Sequence, residues 1–93
     1  MDNLEKQYWA IKEKFPGSIL MFRIGDFYEM FFEDATVVVR TLDLEISVRG
    51  FKIPFCKIRC SDIGQYIDEL QEAGYVVSLL EEEGGESING KEI

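Results

Sequence analysis

The chain has no histidine, two cysteines, two prolines and one tryptophan among its 93 residues. Each shortage removes a class of chemistry. Without histidine, and with no base partner in evidence for either thiol, nucleophilic catalysis lacks a candidate pair, so an enzyme is not expected. Two thiols, Cys56 and Cys60, cannot complete a four-ligand zinc site without imidazoles, and they read as structural cysteines of a reducing compartment. No metal or other cofactor is called for. No apolar run approaches the roughly 18–20 residues that cross a bilayer, and the opening "MDNLEKQYWA" lacks the basic-then-apolar order of a secretory signal. The expectation is a cytoplasmic protein with no membrane partner.

Basic residues are also scarce, which bears on nucleic acid. The net charge is −8, and phosphate contacts need Lys and Arg. The distribution matters more than the total. Residues 1–60 hold nine basic and nine acidic side chains, whereas residues 61–93 hold Lys91 against nine acids. Within the neutral part, "ISVRGFKIPFCKIRCS" from Ile46 to Ser61 carries four cations and no acid. The sequence thus offers one basic strip and one acidic end.

What remains is the composition of a folded domain, with 46% hydrophobic, 13% aromatic and 30% charged residues. One core-bearing unit is expected over residues 1–82, followed by an acidic, mobile tail at 83–93 with no core-facing pattern. Leu4, Tyr8, Ile11 and Phe15 recur at helical spacing, and Pro16-Gly17 ends that helix. "SILMFRI" and "FYEMF" read as strands separated by a Gly25-Asp26 turn. Glu33 and Asp34 suit the positive end of a helix reaching about Leu42. Leu44–Val48 and Ile53–Ile58 read as a hairpin around "RGFK". Ser61 suits the cap of a helix running to about Ala73, and "YVVSLL" is a buried strand. This order predicts an α/β (α+β) fold, a single mixed β-sheet of about five to six strands flanked by helices.

In a strand, alternate side chains share a face, so Phe27, Glu29 and Phe31 point one way while Tyr28 and Met30 point the other. If Tyr28 and Met30 face the core, the strand presents a Phe with a hydrogen-bond acceptor beside it. Such a pair suits stacking on something flat, and a nucleobase is the obvious partner.

The run "FRIGDFYEMFFEDA", followed by "LDLEISVRG", "IPF" and "IGQYIDELQEAGYVVSLLEE", resembles the N-terminal mismatch-recognition domain of the MutS family of DNA mismatch repair proteins. The likeness spans roughly Tyr8 to Glu82 in collinear order. It implies a non-enzymatic module that reads mismatched or distorted duplex DNA. In the family, the Phe of a Phe-x-Glu motif enters from the minor groove beside the mispaired base and the Glu hydrogen-bonds to it; by resemblance these roles fall on Phe27 and Glu29. An apolar wedge kinks a duplex, and the kink costs least where pairing is already broken. Arg49, with Lys52 beside it, matches the family's basic hairpin, and Lys57 and Arg59 extend the positive charge, so these four are the expected backbone contacts. About four neutralised phosphates give a slope of log K against log salt of about −3.6.

The chain departs from the family in carrying Lys57 and Arg59 where a glycine and a proline are usual, and in a shorter hairpin connection. These 93 residues also contain no phosphate-loop motif for an ATPase. Acting as a stand-alone module, the domain is expected to bind weakly, at about micromolar level in physiological salt. The alternative reading is a protein-interaction module that docks its acidic face on a partner such as a full-length repair protein.

Overall fold

A computed structural model describes residues 3–83 and 87–93. Helix α1 (Asn3–Lys12) leads to strands β1 (Ser18–Ile24) and β2 (Phe27–Phe31), helix α2 (Phe32–Leu42), and strands β3 (Ser47–Arg49) and β4 (Ile53–Arg59). A 3-10 turn (Cys60–Asp62) opens helix α3 (Ile63–Glu72), and strands β5 (Val76–Glu83) and β6 (Ser87–Glu92) follow. The six strands form one sheet in the order β3-β4-β2-β1-β5-β6. β1 and β5 run parallel and every other pair is antiparallel. The mixed α+β sheet expected from the sequence is the one observed.

Both faces of the sheet are covered at its centre. On one, Met21, Tyr28, Met30, Cys56, Ile58 and Val77 pack with Ala35 and Val38 of α2 and Ile67 and Leu70 of α3. On the other, Leu20, Phe31, Ile53 and Leu80 pack with Tyr8 of α1. Burial on both sides explains why "SILMF" is apolar without alternation. Packing also overrides local preference in α2, whose β-branched run of Thr36 to Val39 weakens helix propensity but presents Val38, fully buried, to the core.

β2 passes into α2 with no intervening loop, through Phe32 in the left-handed region at φ 55°. The reversal carries Asp34 beneath β1, where it is 5% exposed. Its carboxylate accepts hydrogen bonds from the Tyr8 hydroxyl at 2.5 Å and the Leu20 amide at 3.1 Å, and pairs with Lys12 Nζ at 2.8 Å. Lys12 also donates to the Ser18 carbonyl. The expectation that Asp34 serves the helix start was incomplete: it ties α1, β1 and α2 together.

Four boundaries differ from the sequence reading. Helix α1 ends at Lys12, short of Pro16-Gly17, and tight turns follow in which the Lys14 amide donates to the Ile11 carbonyl at 2.9 Å and the Phe15 amide to the Lys12 carbonyl at 3.2 Å. The first hairpin strand is Ser47–Arg49 rather than Leu44–Val48, because Asp43 caps α2 in the left-handed region and the Leu44 amide turns back to the Val39 carbonyl at 2.9 Å. The expected Ser61 cap is replaced by the 3-10 turn that precedes α3. The segment set aside as a tail contributes β6, which pairs along β5 from Ser78 to Glu83. Gly90 permits this: a Cβ there would lie 2.5 Å from Phe15 Cζ and 2.6 Å from Leu80 Cδ2. The signal is a missing side chain, which no periodicity analysis detects.

Cys56 and Cys60 are both free thiols. Burial pushes the Cys56 thiol from its ordinary 9.0 up to about 12. The folded value lies above the unfolded one, so this contribution to stability is full below pH 9.0 and is lost as pH rises toward about 12. Urea unfolding across that window should show stability falling by about 1.4 kcal/mol per pH unit from this group. Cys56→Val should flatten the slope; an unchanged slope in that variant would show that other groups set it. Tyr8, raised above 10.0 by burial first and by its bond to Asp34 second, adds in the same direction once pH passes 10.0.

Candidate nucleic-acid interface

The site begins at the turn between β1 and β2. Ile24 and Phe27 close a two-residue connection in which Gly25 takes φ 62°, a conformation glycine adopts without strain. The Asp26 carbonyl accepts the Cys60 amide at 2.8 Å, which ties the turn to the far end of β4. Phe27 is thereby held opposite Arg59, and Glu29 opposite Lys57.

Alternation along β2 runs as the sequence predicts. Tyr28 and Met30 face the core shared with α2 and α3. Phe27, Glu29 and Phe31 share the other face but differ in cover. Phe31 is 1% exposed in the core beneath α1. Toward the turn, Phe27 is half-buried and the Glu29 side chain is 12% exposed, and neither belongs to a core cluster.

Three cations converge on this pair. Lys57 Nζ lies 4.5 Å from the centroid of the Phe27 ring, and the Arg59 guanidinium carbon 5.4 Å from it. Arg49 Nη1 contacts Glu29 Oε1 at 3.2 Å. In the ladder Arg49 faces Ile53, four positions along β4 from Lys57. That offset is about 13 Å at about 3.3 Å per residue, and the Arg49 side chain reaches Glu29 across β4, which lies between β3 and β2. Lys52, the fourth expected contact, sits in the hairpin turn at φ 59°, away from the ladder positions of Phe27 and Glu29. The structure thus gathers Phe27, Glu29, Arg49, Lys57 and Arg59 and leaves Lys52 at the hairpin tip.

Electrostatics follow from which face each element occupies. The acids of α3, with Asp68, Glu69 and Glu72 exposed, lie on the face packed by Ile67 and Leu70. Phe27 and Glu29 point from the opposite face. The low-dielectric sheet therefore stands between the acids of α3 and the basic strip.

One feature of this region was missed in the sequence. Phe51, at the tip of the hairpin between Arg49 and Lys52, is 96% exposed. The "RGFK" turn signal shows that a turn exists, but not that its aromatic has nothing to pack against.

The chain is thus a six-stranded α+β domain that gathers an aromatic, a carboxylate and three cations at one end of its sheet. The chain belongs to the MutS domain I family, which it matches over residues 2–92. It is 41% identical over 86 residues to the DNA mismatch repair protein MutS of Leptospira interrogans serovar copenhageni, covering 92% of this chain and 10% of that protein. It is 43% identical over 81 residues to the DNA mismatch repair protein MutS of Halothermothrix orenii, covering 83% of this chain and 9% of that protein. The chain spans about a tenth of the length of these relatives.

Proposed function

We propose that this domain recognises mismatched or distorted duplex DNA by binding alone, with no catalytic step. Phe27 stacks against the base whose pairing is disturbed, and Glu29 accepts a hydrogen bond from that base. A carboxylate among phosphates is repelled, so it helps only where it meets a donor, a condition that favours a disturbed pair over an intact one. Arg49, Lys52, Lys57 and Arg59 neutralise phosphates and position the domain without reading sequence. The observation that carries this reading is the placement of Phe27: half-buried at the open end of the sheet, outside both cores, with Glu29 beside it and cations around it. The names of the MutS relatives agree with it. Those cations favour DNA over the alternative of a protein docked on the acidic face.

The test is fluorescence anisotropy at low salt with a matched duplex and the same duplex carrying one G·T pair. The wild type should prefer the mismatch, and Phe27→Ala should remove that preference, consistent with a loss of about 1–3 kcal/mol for one stacked base. Stability should fall by less than the roughly 3–5 kcal/mol of a core Phe→Ala change, since the half-buried ring belongs to neither core cluster. Equal binding of both duplexes by the wild type would sink the proposal.

A further inference from the structure

The cations on Phe27 have a consequence for which bases can reach the ring. Lys57 and Arg59 come from alternate positions of β4, so the ladder holds their backbones beside Phe27 while both residues are exposed to solvent. An incoming base must displace them. The exchange is favourable when the base is already unstacked, because base–aromatic stacking outweighs an exposed cation–π contact and each released cation gains a phosphate. It is unfavourable for a base that must first be pulled from a paired stack.

The geometry points to single-stranded DNA as a ligand of this same site: one unpaired base lies on the Phe27 ring, and Lys57 and Arg59 turn outward onto the phosphates that flank its nucleotide. Glu29, held by Arg49 at 3.2 Å, borders the base without facing an uncompensated backbone charge. The inference rests on the reading that Phe27 stacks on bases, but not on selection of mismatches. Single strands offer every base free of a partner, so the ligand is sequence-tolerant and its binding salt-dependent. Two phosphates on a single strand give a slope of log K against log salt of about −1.4, at about 0.7 per contact.

The experiment is an anisotropy titration of the 93-residue chain at low salt with three labelled probes: an unstructured oligothymidine strand, a matched duplex, and that duplex with one G·T pair. Wild type should bind the strand about tenfold more tightly than the matched duplex. Phe27→Ala should remove that preference, and Lys57→Ala with Arg59→Ala should flatten the salt dependence on the strand while circular dichroism stays unchanged. A strand bound no better than the matched duplex, or a strand preference that survives Phe27→Ala, overturns the inference. Mismatch preference without strand preference rejects it and leaves the proposed function standing. Strand preference without mismatch preference supports it and rejects that function.

Discussion

Replacing Asp34 with alanine should lower the unfolding free energy by about 3–5 kcal/mol, the usual cost of removing one partner from a buried charge pair. The carboxylate is shared by three donors from two elements: the Tyr8 hydroxyl and Lys12 Nζ of α1 and the Leu20 amide of β1. Removing it strands a buried phenol and a buried amide at once, and each unsatisfied group carries its own desolvation penalty. It also releases α1, the helix that covers the second face of the sheet. Asp34→Asn should cost less, because an amide oxygen can still accept from Tyr8 or Leu20 and the Lys12 side chain is 24% exposed to solvent. Urea unfolding of the two variants against wild type is the measurement. An alanine variant within about 1 kcal/mol of wild type would show that the network does not hold α1 in place.

Met30→Ala should be nearly as severe, at about 2–5 kcal/mol. Met30 is 0% exposed, lies at the centre of the sheet opposite Cys56, and packs into the core beneath α2 and α3. The comparison with Phe27→Ala, three residues away on the same strand, is the informative part. A slip of one residue in register would exchange the faces of β2, burying Phe27 and Glu29 and exposing Tyr28 and Met30. The observed register therefore predicts a larger stability loss at Met30 than at Phe27, together with the opposite order of effects on DNA binding. A small cost at Met30 with a large one at Phe27 would mean that the strand is paired the other way and that Phe27 is core.

Much of this was legible in the chain because the governing forces are local. Period-two alternation in "FYEMF" sets which side chains share a face, and Gly25 supplies the left-handed residue that a two-residue turn needs. The helical spacing of Tyr8 and Ile11 places them together on one side of α1. The basic composition from Ile46 to Ser61 marks where cations gather, and the "GDFYE" run carries the family likeness. β6 was not legible, since "SINGKEI" has no apolar pattern and owes its place to a glycine beneath Phe15. Asp34 was half legible: a carboxylate at a helix start is a local signal, but its partners Tyr8 and Lys12 are separated from it by 26 and 22 residues.

The sequence by itself determined the element types from α1 to β5, the two faces of β2, and the identity of the aromatic and the carboxylate that share one of them. These follow from backbone geometry and side-chain chemistry over a few residues. Only the tertiary structure decided that α1 stops short of Phe27 while covering Phe31, and that α3 takes its acids to the opposite face. It also decided that Arg49 meets Glu29 across β4. Those outcomes depend on long-range packing of helices onto a twisted sheet, where burial of apolar surface chooses among placements that local pattern leaves equal.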